Sequence, residues 1–378
     1  MKKIIVNKTK HGIWTAVVKD MILHQLFYDS FDEPSLVGSI YKSKIVKLNY
    51  NMAFADIGEK SQVFLDLNDV ANNKAKLKQG DEVVLQISKD KIDSKLAVAK
   101  LDIVYKGRFL ILSKIKNNKQ SINFSSKLLR ADCEKLEHVI LKYLPQGYDV
   151  IIRTAAANAS ENDIKNEFIR LLHEIDSTAN LLALQKTPAN IKMQDPIVYT
   201  LLDVICNNTQ QIVFDCITEY DNILKALPEL ADKLIYFNER EHVFERYFIK
   251  TQFDKVFEKK IWLKSGGYII IEQTAACVCI DVNTGKYIHG KNKKSSILKI
   301  NKEAAVEIPR QLRLRNLSGI IIIDFINMDN QENIELITSI LAEGLKEDHV
   351  SAFAVGMTEL GLMQVTRKRI KPPHAPFI

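Results

Sequence analysis

The chain has 378 residues, 46% hydrophobic and 26% charged, with a formal net charge of +7. That length holds two or more domains with cores of their own, and the composition excludes a fibrous or disordered chain. No apolar run reaches the roughly 18 residues of a membrane span, and MKKIIVNKTK lacks the apolar stretch of a signal peptide.

Five cysteines, Cys133, Cys206, Cys216, Cys277 and Cys279, contain no C-x-x-C pair. Structural zinc and a disulfide framework are therefore not expected, and a cytoplasmic, reducing location is. Cys277 and Cys279 fall on one face of an expected strand and read as buried filler.

Residues 1–35 look β-rich but close no core of their own, so the barrel that follows is expected to be inserted into another domain. Between 37 and 115 come five candidate strands, at 38–49, 51–58, 62–67, 80–89 and 95–103, several divided by Gly, Asn and Asp. Five short strands with exposed lysines and aromatics fit an OB-type barrel, which holds single strands on aromatics beside a basic groove. Phe54 and Phe64 are the candidate platforms and Lys95 the candidate phosphate contact. For either phenylalanine alone, packing into the core is the simpler reading.

The pattern is mixed from 120 to 240. An apolar strand at 149–154 ends on Arg153 and Thr154, a guanidinium fork and a hydroxyl suited to phosphate, although a surface ion pair suits Arg153 equally. A helix follows over 162–184. From 242 the order is regular: a helix over 242–259, strands YIIIEQ and CVCID, a helix ending at Arg315, strand GIIIIDF, a helix over 331–345 and a strand over 350–355. This is an α/β layout, followed by a frayed Pro-rich tail, KPPHAPFI.

The net charge is concentrated. Nine basic residues lie between Lys286 and Arg315, opposed only by Glu303 and Glu307, and Arg367, Lys368, Arg369 and Lys371 form a second cluster. Local positive density favours a polyanionic partner, the alternative being a solvated helix face.

CVCID, helix, GIIIID is a β-α-β unit whose crossover makes the strands parallel, and each strand ends on an aspartate, Asp281 and Asp324. If neighbours, the two carboxylates stand about 4.8 Å apart and repel unless a cation or proton separates them. A hard-oxygen site of this kind suits Mg²⁺, which takes one or two carboxylates and completes its shell with water and phosphate. Asn283, two residues on, points to the same side and is placed to orient a carboxylate or touch a phosphodiester. Alone, each aspartate also suits a turn or a helix cap. Gly285-Lys286 does not complete a phosphate-binding P-loop, since Ile280 and Tyr287 stand where it needs Gly and Ser or Thr.

Four blocks, LKSGGYIIIEQT (263–274), IDVNTGK (280–286), IPRQLRLRNLSGIIIIDFINM (308–328) and GLMQVTRKR (361–369), resemble the bacterial ribonuclease E/G family, closer to its G branch. The resemblance implies a Mg²⁺-dependent endoribonuclease cutting single-stranded RNA, in rRNA and tRNA maturation or mRNA decay, with a preference for 5′-monophosphorylated ends. By motif match, Asp281 and Asp324 would hold the metal and Asn283 would assist. Arg153 and Thr154 match a 5′-phosphate pocket, and Phe54, Phe64 and Lys95 match RNA contacts on the barrel. The implied division is an RNase H-like part (1–36 and 193–256), an OB-type domain (37–115), a 5′ end sensor (116–192) and a DNase I-like part (257–378).

The family continues into a C-x-x-C zinc link and a small domain, whereas this sequence ends at Ile378. A zinc-linked dimer is therefore not expected, while another homo-oligomer is open. Ala275 replaces a family glutamate, and 329–332 replace an arginine run, two changes expected close to the site. The missing C-terminal segment and Ala275 motivate an alternative reading, an RNA-binding member with weak or lost catalysis.

Overall fold

The structure, a computed structural model, describes residues 1–59, 62–67, 77–92, 95–115, 120–206, 208–285, 293–328 and 330–374. They form two compact units, Met1–Asp32 with Gln210–Ile378, and Glu33–Thr209. The inserted unit thus comprises more than a barrel.

The first unit opens with an antiparallel meander, β1 (Lys2–Lys8), β2 (Gly12–Lys19) and β3 (Ile22–Ser30). Asp20 and Met21 make its second turn with φ of 52° and 62°. Positive φ at both central residues matches the twist of the strands they join.

The second unit supplies the barrel: β4 (Ile40–Asn49), β5 (Met52–Asp56), β6 (Val63–Asp66), β7 (Glu82–Lys89) and β8 (Val98–Lys100). They run β4-β5-β6-β8-β7, and pairing of β7 with β4 closes the ring, giving the OB-like barrel that the spacing of the strands indicated. Tyr41, Ile45, Ala53, Ala55, Val63, Leu65, Leu85 and Ile87 fill it.

Next come β9 (Val104–Lys106), β10 (Leu110–Lys114), β11 (Ile122–Phe124), α1 (Arg130–Tyr143), β12 (Tyr148–Ile152) and α2 (Glu161–Leu184). The four strands form a sheet in the order β11-β12-β10-β9, and α1 and α2 share its core. α2 starts where Ser160 and Asp163 form a capping box, and it buries Ile164, Phe168, Leu171 and Ile175 on one face. The unit closes with β13 (Ala189–Lys192), paired to β4, and α3 (Pro196–Val204).

The chain then returns to the first unit with β14 (Thr209–Phe214), α4 (Ile217–Ala226) and β15 (Leu234–Tyr236), which extend the meander to β15-β14-β1-β2-β3. The single helix expected over 242–259 is instead two short ones, α5 (Val243–Arg246) and α6 (Lys250–Asp254). Phe248, at φ 58°, breaks the run. Bending there lets Val243, Phe244, Ile249 and Val256 all reach the core around Trp14, which one straight helix face could not.

A six-stranded sheet completes the unit: β16 (Lys260–Trp262), β17 (Tyr268–Gln273), β18 (Cys277–Asn283), α7 (Lys293–Arg315), β19 (Gly319–Asp324), α8 (Gln331–Lys346), β20 (Ala352–Met357) and β21 (Leu362–Arg367). The order is β16-β17-β18-β19-β21-β20, with β18 and β19 parallel through α7. One face packs on α7 and α8 through Val278, Ile280, Val282, Ile321, Ile323, Ile308, Leu312, Ile337 and Leu341.

The tail is not frayed as far as His374. The His374 backbone N–H donates to Arg315, its ring meets the Leu26 carbonyl at 3.0 Å, and it packs edge-on against Trp14. An apolar cradle with an acceptor at its floor explains why a Pro-rich segment is held there.

Candidate active site

Strand parity builds the site. Along β18, Val278, Ile280 and Val282 point to the helices, so Cys277, Cys279, Asp281 and Asn283 point to the open face. A slip of one residue would bury Asp281 and expose three aliphatic side chains, each worth about 1.5–3 kcal/mol when buried. The same parity corrects the reading of the cysteines as filler: Cys277 is half-buried and Cys279 exposed, their sulfurs 3.7 Å apart.

Asp281 and Asp324 are register partners on β18 and β19, and both are exposed. Their strands lie about 4.8 Å apart, and the acids share one face. Asp281 is not the last residue of its strand, as the apolar run implied, because β18 continues through Val282 to Asn283. Neither aspartate caps a helix: α8 takes its cap from Asn330, whose side chain accepts from the Glu332 N–H.

Asn283 Nδ2 donates to Asp281 Oδ2 at 2.7 Å. Two glycine turns fix this end of the strand. Gly285 has φ 64°, and a Cβ there would run into the Gly266 carbonyl, while one on Gly267 would meet the Asn283 carbonyl at 2.9 Å. Only glycine lets the two turns approach so closely. Behind β19, the buried Asn301 of α7 clamps the backbone of Ile326, donating to its carbonyl at 2.7 Å and accepting its N–H at 3.1 Å.

The basic residues divide. Lys294 and Lys299 are exposed on α7, but Arg310, Arg313 and Arg315 turn inward. Arg310 donates to the Leu23 carbonyl, Arg313 to that of Gly344, and Arg315 to Gln311 and the Glu258 carbonyl. Arg367 is also buried, paired with Asp348 at 2.8 Å. The density expected as a surface is therefore partly internal, because the planar fork of arginine satisfies buried carbonyls. Lys286 and Lys291 lie outside the described residues.

In the second unit, Phe54 and Phe64 are register partners on β5 and β6, half-buried and edge-to-face at 5.9 Å. Their neighbours Ala53, Ala55, Val63 and Leu65 fill the core, so both rings stand on the outer face of the barrel. Lys47 lies over the Phe54 ring, and Lys95 is exposed beside an isolated bridge to Ile92. Arg153 follows β12, where its Nη1 donates to the carbonyls of Gly107 and Leu202 and its Nη2 to Asp203 at 3.0 Å. Thr154 is exposed and shares a hydrogen bond with Ser125. Gly107 is itself held from behind, since the buried Glu167 carboxylate accepts from the N–H groups of Arg108, Phe109 and Leu110.

Ala275 is not close to the acids. It lies in the β17–β18 turn, beyond Cys277, and Cys277 to Asp281 alone spans about 13 Å of extended strand. Lys260, Trp262 and Tyr268 also share the open face with Asp281, and nothing in the sequence assigned them a role. Their signal was a lysine and a tryptophan at strand alternation, with a tyrosine opening the next strand.

The arrangement defines a mixed α/β protein that carries a closed OB-like barrel and an acidic pair on the open face of a second sheet. The chain belongs to the ribonuclease E/G family, whose model matches residues 105–370. It is 29% identical to ribonuclease G of Salmonella typhimurium and to that of Haemophilus influenzae, each over 98% of this chain and 80% of the relative. Ribonuclease E of Buchnera aphidicola is 28% identical over 98% of this chain and 44% of its own length.

Proposed function

We propose that this chain is a Mg²⁺-dependent endoribonuclease that cuts single-stranded RNA in rRNA and tRNA maturation or mRNA decay, favouring 5′-monophosphorylated ends. The observation that carries this reading is the register pairing of Asp281 with Asp324 on the uncovered face of the sheet. Two adjacent hard carboxylates suit Mg²⁺, which completes its shell with water and phosphate. Asp281 and Asp324 would hold the ion, which when bound supplies a Lewis acid for the phosphodiester and an acidified water.

The protein's own part is positional. Asn283 fixes one carboxylate through its amide, leaving the other oxygen of Asp281 for the ion. Phe54, Phe64 and Lys95 would bind RNA on the barrel by stacking and charge. Arg153 and Thr154 would receive the 5′ phosphate, with the Arg153 fork exchanging Asp203 for the ligand. We retain the division into RNase H-like, OB-type, sensor and DNase I-like parts as the functional partition, and a cytoplasmic location. No helix among the described residues is long and apolar enough to cross a membrane.

The test is cleavage of a 5′-monophosphorylated A/U-rich oligonucleotide with Mg²⁺. EDTA should abolish turnover, and Asp281→Asn or Asp324→Asn should lower it at least about 100-fold, equivalent to some 2.7 kcal/mol of lost transition-state stabilisation. RNA affinity, read by anisotropy, should stay within about twofold because both carboxylates repel the backbone. Full cleavage by both variants would overturn the reading. Binding without turnover by the native chain would favour the non-catalytic alternative, which the distance of Ala275 from Asp281 weakens.

A further inference from the structure

The chain has two tryptophans in opposite states: Trp14 is 1% exposed and Trp262 is 63% exposed. An indole left this open on a folded surface marks a place of contact. Trp262 sits on β16, the edge strand of the acid-bearing sheet. It pairs in register with Tyr268, which pairs in register with Asn283. The adjacent row reads Lys260, Ile270, Asp281, Asp324. Register partners point to the same face, so all these side chains share the open side of the sheet. Trp262 stands two strands, about 10 Å, from Asn283.

The group is organised. The Trp262 and Tyr268 rings meet edge-to-face at 5.3 Å and 67°. Lys260 Nζ lies 3.9 Å from the centroid of one and 3.8 Å from that of the other. The ammonium holds both rings by cation–π attraction while keeping its charge at the solvent face. Aromatic faces joined to a cation, beside a centre for phosphodiester chemistry, match an unstacked base and its phosphate. A paired base offers no free face to such a surface.

We propose that Trp262, with Tyr268 and Lys260, is a stacking platform for an unpaired nucleobase flanking the bond that is cut, setting the register of the strand on the β16 side of Asp281 and Asp324. This rests on the acidic pair being the catalytic centre. Trp262 and Tyr268 are positioning residues, acting on the substrate through its base.

The experiment uses the full chain. Because Trp14 is buried, the accessible tryptophan emission reports Trp262. With EDTA present to stop turnover, a 5′-monophosphorylated single strand should quench that emission as anisotropy saturates, and a blunt duplex should not. With Mg²⁺, Trp262→Ala should raise KM between about 5- and 150-fold, the range for loss of one stacked base, with kcat within about threefold. Trp262→Phe should restore most of the loss, and neither variant should shift Tm by more than about 2 °C. A merely edge-protecting indole would give variants with lowered Tm and an unchanged KM, which overturns the proposal. Bound RNA without quenching, or no binding, also overturns it. Quenching without Asp281-dependent cleavage would leave the platform standing and remove the catalytic assignment; Asp281-dependent cleavage without quenching would do the reverse.

Discussion

Asp281 is placed by parity and held by one amide, and His374 shows a single side chain setting a pH response. Burial pushes the His374 imidazole down to about 4, and the same cause, aided by Arg313, pushes His24 down to about 4. Both are therefore neutral in the folded protein at pH values where the unfolded chain already binds a proton, with its ordinary value near 6.5. The stability tied to the neutral rings is complete above about pH 6.5 and is lost as pH falls from there towards 4. His374→Gln should flatten the fall of Tm over that window, since glutamine keeps a polar contact to the Leu26 carbonyl without titrating. A series of melting curves from pH 7.5 to 4 checks this, and an unchanged slope would contradict it.

At the scale of elements, alternation does the sorting. β5 buries Ala53 and Ala55 and turns Phe54 outward, and β6 buries Val63 and Leu65 and turns Phe64 outward. Rings on the outer face add little to the barrel core. Phe54→Ala and Phe64→Ala should each weaken single-strand binding by about 1–3 kcal/mol, with barrel stability nearly unchanged. Anisotropy titration and thermal melts separate these effects, and a large drop in Tm with normal affinity would make the rings structural. α7 behaves differently: its sequence is rich in cations, yet its three arginines serve the interior. Charge counted along a helix does not say which turn faces water.

At the scale of the whole molecule, the first unit is assembled from two distant stretches of chain, Met1–Asp32 and Gln210–Ile378. A buried pair ties the end of its six-stranded sheet. Arg367 donates through Nε to Asp348 and through Nη1 to Asn316, and the arginine and both partners come from separate elements or turns. Burial alone would raise the Asp348 carboxyl, but His349 and Arg367 hold it well below the usual range. Asp348→Asn would leave the Arg367 charge buried without its counter-ion and should cost about 3–5 kcal/mol. Denaturant unfolding measures it, and a loss under about 1 kcal/mol would show that the pair is dispensable.

The sequence by itself determined the strands of the barrel, the β-α-β unit with its two aspartates, and the family blocks, because alternation, turn residues and short motifs are local properties. It read Asp281, Asp324 and Asn283 as one group because a crossover fixes strand direction. Tertiary structure alone decided which face of β18 was covered, so Cys279 came out exposed and Cys277 half-buried. It also turned four arginines inward, bent 242–259 at Phe248, tied Arg153 to Asp203 and carried Ala275 away from the acids. These outcomes depend on partners remote in sequence, and the free energy of placing a long charged side chain or an aromatic ring is set by the groups it meets after folding.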